Sequence, residues 1–211
     1  MKWGRGERQT SRTLNGTGSG ESRAWRLAEW ALASLAGLLL VADVRPVLAQ
    51  SKGASEYQVK AAFLYHFAQF VEWPPEAFRE AGAPLTYCLL GDDSFGGAFE
   101  LALNGKSVGA HPVRLRRLGR VQEVPGCHVL FVSASEKKNF AAVLEGVKGT
   151  PVLTVGDYDH FAEEGGMIGL FLEDNKVRFE INAGAAQQAQ LKISARLLAL
   201  ASRVIGGPKG S

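Results

Sequence analysis

Three short apolar runs constrain the fold of this chain more than any other feature: "PLTYCLL" at 84–90, "CHVLFVS" at 127–133 and "PVLTVGD" at 151–157. Each is continuous rather than alternating and too short for a buried helix, so each reads as a strand buried on both faces. Helical patterns lie between them, in "SFGGAFELAL" and in the segment after Ser133. Strands that alternate with helices imply a mostly parallel sheet covered on both sides. "VRLRRL", 113–118, alternates apolar and basic residues, as a half-exposed strand near an edge does. "MIGLFLEDNKVRFEIN" reads as an antiparallel hairpin around Glu173-Asp174-Asn175. In its second strand Val177, Phe179 and Ile181 point one way and Arg178, Glu180 and Asn182 the other. The expected fold is a single α/β domain: a mostly parallel sheet, helices on both faces, and an added hairpin.

The flanking helices are read from periodicity. Ser55 with Gln58 forms a capping box for a first helix through "EYQVKAAFLYHFAQFVEW", which Pro74-Pro75 stops. Val59, Phe63, Phe67 and Phe70 make one stripe, with Ala61, Leu64 and Ala68 beside it. That breadth suits burial between neighbours or a subunit contact. Ser133 and Glu136 box a helix that turns Phe140, Val143, Leu144 and Val147 inward. A last helix is expected from about Gly184 to Ile205, with Lys192 and Arg196 one turn apart on it. Should it cross the polar face of the hairpin, Glu180 would meet that basic pair. An ordinary structural salt bridge is the preferred reading of such a meeting.

The first 49 residues read as an export signal. Arg5, Arg8, Arg12, Arg23 and Arg26 precede an apolar run from Trp30 to Ala42, and Val47-Leu48-Ala49 follows. The run falls short of the roughly 20 residues a spanning helix needs, and the small residues fit cleavage after Ala49. Residues 50–211 then form one domain with a core of about 55–205. They carry 17 basic and 17 acidic residues, so the whole-chain net charge of +3 belongs to the leader. A neutral domain offers no electrostatic case for nucleic acid. Cys88 and Cys127 are the two cysteines. In an oxidising compartment they are a candidate disulfide worth about 4 kcal/mol on chain entropy; two buried thiols are the alternative.

Catalytic patterns are weak. "GDDSFGGAFE" spaces Gly91 and Gly96 like a phosphate loop but lacks its lysine and hydroxyl, and Asp92 and Asp93 would repel phosphate. The preferred reading is a hinge, with Asp93 or Ser94 capping a helix. "GDYDH" supplies Asp157, Asp159 and His160 after a strand end, where α/β ligand sites lie. Three ligands in one loop fall short of a metal site, and a solvated turn capping a short helix is preferred. His66, His111 and His128 read as satisfied core histidines. Arg114, Arg116, Arg117 and Arg120 cluster on a face that reads as solvated.

Three stretches, "VKAAFLYHFAQFVEWP", "LLGDDSFGGAFE" and "VRFEINAGAAQQAQLKISARLLALA", are similar to the YfiR-like family of bacterial periplasmic proteins. The late stretch is the most specific, and the likeness covers about 55–205. The resemblance implies a regulator rather than an enzyme, without cofactor or metal. It implies a repressor that binds the periplasmic domain of an inner-membrane diguanylate cyclase, with an outer-membrane lipoprotein drawing it away, and a homodimer. It also implies that Cys88 and Cys127 form a retained disulfide. Glu180, inside "FEIN", falls in the region of ligand or partner contact, with Lys192 a weaker candidate; Arg178 and Arg196 flank them. A second cysteine pair found in the family is missing from "EEGGMIGLFLEDN". The alternative is a periplasmic small-molecule-binding accessory protein for another membrane receptor, with its pocket near Gly91 and Tyr158. A metal hydrolase using Asp157, Asp159 and His160 is the third reading.

Overall fold

A computed structural model describes residues 51–206, with side chains from Glu56 onward. The expected export segment and its cleavage point lie outside the described residues. Among the described residues no helix is long and apolar enough to cross a membrane.

The chain opens with helix α1 (Ser51–Gln69) and the two-residue strand β1 (Val71–Glu72). Strand β2 (Leu85–Leu90) leads to α2 (Ala98–Leu103), the short β3 (Ser107–Val108) and β4 (His111–Leu118). Then come β5 (Val129–Val132), α3 (Phe140–Val147), β6 (Leu153–Gly156), and the hairpin β7 (Ile168–Glu173) and β8 (Lys176–Asn182). Helix α4 (Ala183–Gln188), β9 (Lys192–Ile193), α5 (Ala195–Leu200) and β10 (Arg203–Ile205) close the domain.

Eight strands form one sheet in the order β10-β8-β7-β6-β5-β2-β4-β3. From β7 to β4 every neighbour is parallel; β8 is antiparallel to β7, and β3 to β4. β1 and β9 form a separate antiparallel pair. The three runs that set the fold class are the central strands, and every residue of β2, β5 and β6 is buried. Their alternate side chains feed two cores. Leu85, Tyr87 and Leu89 join Leu64 and Phe67 of α1, Phe99 of α2 and Leu197 of α5 on one face. Cys88 and Leu90 join Phe140, Val143 and Val147 of α3 on the other. Cys88 and Cys127 are disulfide-bonded, with Cα atoms 5.9 Å apart and a sequence separation of 39.

Several local expectations fail. Helix α1 already runs at Ser51, so Ser55 lies inside it rather than at its start; it ends at Gln69, where Val71–Glu72 leaves to pair with β9. Its inward face is Ala61, Leu64, Phe67 and Ala68, while Val59 is 41% exposed. Ser133 does cap, but what it caps is a 3-10 segment, Ala134–Asn139, ahead of α3; Glu136 bonds forward to Asn139 instead of closing a box. The long last helix is broken. α4 stops at Gln188, Gln190 takes a left-handed φ of 60°, and Ser194 starts α5 by accepting from Leu197 N–H. Lys192 therefore sits on β9 and Arg196 on α5, and they share no helix. The hairpin turn is as read: Asp174 and Asn175 both take positive φ, the two-residue turn such strands favour.

Candidate functional site

The sheet places its charged chemistry at the C-terminal end of β6. The segment after Gly156 carries Asp157, Tyr158, Asp159 and His160, and Phe161 anchors it. The Phe161 ring lies against Gly156 and Gly166, where a methyl group at either would overlap it. Phe161 also packs on Phe140 and Tyr158, with ring centres 4.7 and 5.2 Å away. The loop is thus a fixed wall. It forms turns rather than the short helix expected after His160.

This wall, α1 and the hairpin enclose a cleft of about 650 Å³. On the α1 side, Lys60 Nζ lies 3.0 Å from Asp157 Oδ2 and 2.6 Å from Glu56 Oε1. Tyr57 donates its hydroxyl to the same Asp157 oxygen at 3.0 Å. The Lys60 and Asp157 side chains are only 5% and 3% exposed, so this is a buried pair. Burial alone would lower the Lys60 pKa; the Glu56 hydrogen bond and the Asp157 charge outweigh it, and the net shift is upward. Lys60 is therefore a fixed cation and a poor general base.

On the hairpin side, Glu180 of β8 is buried although it is charged. Its partner across the pair is Gly169 of β7, where a Cβ would come within 3.1 Å of Glu180 Oε1. The missing side chain is what lets Glu180 lie along the sheet. Arg203 of β10 donates its Nε to Glu180 at 3.0 Å and also pairs with Glu163 at 2.6 Å. His160 Nδ1 meets Glu163 at 2.6 Å. Hydrogen bonds from His160 and Arg203 hold the Glu163 carboxyl below its ordinary value. Five carboxylates and two cations line the cleft, leaving it acidic.

The candidates named from sequence are placed as follows. Glu180 is in the cleft, but its cation is Arg203; Lys192 and Arg196 do not meet it. Arg178 is exposed and lies 3.5 Å from Glu173 near the hairpin tip. Asp157, Asp159 and His160 line the cleft together. Among the described residues, however, no three His, Cys, Asp or Glu side chains are grouped to hold a metal. Gly91 lies outside the cleft. Its φ of +89° makes the hinge, and a Cβ there would strike Ser135, whose Oγ accepts from Asp92 N–H at 2.9 Å. Asp93 accepts from Phe95 N–H and pairs with Arg117, leaving α2 to start at Gly97 with no side-chain cap. The loop's polar groups are thus spent internally. Three of the four clustered arginines are spent likewise: Arg116 donates to Pro125 and Glu123 carbonyls, Arg117 to Asp93 and Glu100, and Arg120 to Glu123.

His66 is exposed and bonded to Gln69, unlike the core histidine expected. His111 and His128 are held structurally. Both stack on Phe78, with centres 3.8 and 4.6 Å away. Sequence reasoning missed Lys60, Glu163 and Arg203. Arg203 sits in the β-branched run "RVI", the one available hint of a strand there.

The fold is thus a mostly parallel α/β sheet with an acidic cleft at a strand's C-terminal end, the place where ligand sites of such sheets lie. The family model described as YfiR/HmsC-like matches residues 57–202, and the chain belongs to that family, one of regulators. No curated protein matches the chain. Among solved structures, it is similar to the ABC domain from Streptococcus pneumonia solved in complex with L-Trp, at 12% identity and a TM-score of 0.49 over 69% of this chain. It is also similar to a conserved domain protein from Vibrio cholerae, at 10% identity and a TM-score of 0.45 over 68% of this chain. The chain spans 60% of the length of each.

Proposed function

We propose that this protein is exported to the periplasm, where it binds the periplasmic domain of an inner-membrane diguanylate cyclase and holds that enzyme inactive. Membership of the YfiR/HmsC-like family over residues 57–202 is the observation that carries this reading. The Cys88–Cys127 disulfide supports an oxidising compartment. An outer-membrane lipoprotein that removes the repressor, and a homodimeric state, belong to the same proposal. Deleting the gene is expected to raise cyclic di-GMP, and restoring it to lower the level again. Unchanged cyclic di-GMP in a strain whose cyclase is active would overturn the reading. Cell fractionation with N-terminal sequencing tests the export step: the mature chain is expected to begin at Gln50.

The cleft favours a second reading, a small-molecule-binding accessory protein for another membrane receptor. It is large enough for a metabolite and has polar groups converging from α1, the β6–β7 loop and the hairpin. A thermal-shift screen of cationic metabolites tests it. A ligand whose stabilisation is lost in Glu180→Gln supports this reading, and a screen without any such ligand counts against it.

A further inference from the structure

We propose that the cleft is a strand-addition site, in which an extended, basic peptide segment of a protein partner pairs with the free edge of β7. The proposal rests on the reading of this chain as a regulator that acts by binding. Strand β6 pairs with β7 only at Val155–Ile168 and Gly156–Gly169, whereas β7 continues to Glu173. Among the described residues no strand covers that remainder on the side away from β8. Four consecutive β7 residues, Gly169 to Leu172, line the cleft. Alternate side chains of a strand point to opposite faces, so four in succession can line one cleft only if it runs along the backbone edge.

The register identifies the groups on that edge. Asn182 N–H donates to Met167 O at 2.8 Å, which makes them a hydrogen-bonded pair. Hydrogen-bonded and non-bonded pairs alternate along an antiparallel ladder. Gly169, Phe171 and Glu173 therefore bond to β8, while Leu170 and Leu172 turn their N–H and C=O to the β6 side; the Gly156–Gly169 bridge takes the Leu170 N–H, which leaves the Leu170 C=O and both Leu172 groups on the open edge. Natural sheets blunt such edges with charges, proline or a bulge. The edge here reads Gly-Leu-Phe-Leu, and Leu172 is 50% exposed. Charge selects the partner. Carboxylates outnumber cations in the cleft, and Asp159 has no ion-pair partner among the described residues. Basic side chains at every second position of an added strand would face these acids, while its backbone satisfies the Leu170 C=O and both Leu172 groups.

The test uses a short capped peptide of alternating lysine and valine. Its controls are the same peptide N-methylated on its pairing edge and a glutamate–valine version. Hydrogen exchange at the Leu172 amide is followed by NMR, with the Leu170 amide, already paired to Gly156, as the internal reference. The lysine peptide is expected to slow the Leu172 amide and to bind about tenfold or more tighter than either control. Leu172→Pro removes an N–H that points away from β8, so the hairpin keeps its bonds and the thermal melt, while peptide binding is lost. If that variant unfolds, the N-methylated peptide decides. Exchange at Leu172 that ignores the lysine peptide overturns the proposal, as does equal binding of the glutamate or N-methylated peptide. Protection that rises with protein concentration alone assigns the edge to a second copy and overturns it too. These outcomes are independent of cyclic di-GMP levels, so failure of the edge and failure of the regulatory reading are separable.

Discussion

Phe161 and Lys60 show how single side chains fix the cleft. Gly156 and Gly166 grip the Phe161 ring by having no side chain. Gly166→Ala is expected to overpack that contact and cost roughly 1–3 kcal/mol, read from urea unfolding. A stability equal to wild type would show that the loop yields. For Lys60 and Asp157 the order of removal matters. Lys60→Met strands a buried carboxylate beside Tyr57 and is expected to cost about 3–5 kcal/mol. The double variant Lys60→Met, Asp157→Leu removes both charges and is expected to recover most of the loss; an additive double loss would disprove the coupling. Little of this was legible in sequence. Glu180 was placed on a polar face by strict alternation, a purely local property. Its true partner, Arg203, is a non-local choice made by β10 pairing beside β8. Lys60 is one polar residue in the largely apolar "VKAAFLYHFAQFVEWP", and nothing nearby in sequence announces Asp157.

At the scale of elements, central strands were legible and terminal ones were not, for one physical reason. Burial on both faces writes a continuous apolar run into β2, β5 and β6, whereas two-residue strands such as β1 and β9 exist only because each pairs with the other. Periodicity therefore ran α1 on through Val71 and fused α4, β9 and α5 into one helix. Ser194 before Ala195 was the missed stop-and-start signal. The segment between β1 and β2 shows the same dependence on distant partners, and it makes a pH prediction. His111 bonds to Ala83 O and His128 to Ala77 O, clamping that segment to the sheet. Thr86 N–H donates to His128 Nδ1, so Nε2 carries the proton and the ring is neutral. Burial pushes the His128 pKa down, with the Ala77 bond opposing and His111 reinforcing the shift. A lowered folded-state value means the unfolded chain takes the proton first. The stabilisation is then complete above the unfolded value of about 6.5 and is lost as pH falls through the lower folded one. Urea unfolding is expected to weaken between pH 7 and pH 5, and His128→Gln to flatten that slope. An unchanged slope in the variant would assign the loss to carboxylates.

For the molecule as a whole, one covalent link crosses the second core. Cys88 lies within β2 and Cys127 just before β5, neighbouring parallel strands whose connection runs out through α2, β3 and β4 and back. Such non-local pairing is what chain entropy resists most, because the loop must close before the strands can reward it. The disulfide closes that loop in advance in the unfolded state. A 39-residue separation is worth about 4 kcal/mol on the chain-entropy model. Each kcal/mol moves the melting point of a domain this size by about 2–4 °C. Cys88→Ser is thus expected to lower Tm by roughly 10 °C, and a reductant to do the same to wild type but nothing to the variant. The first hydrophobic core contains neither cysteine and the second keeps its other apolar side chains when the sulfurs part, so reduced protein at low temperature should keep its far-ultraviolet circular dichroism. A melting point insensitive to both treatments would mean that the sheet closes this loop unaided, and that the sulfur pair contributes nothing to the stability of the fold.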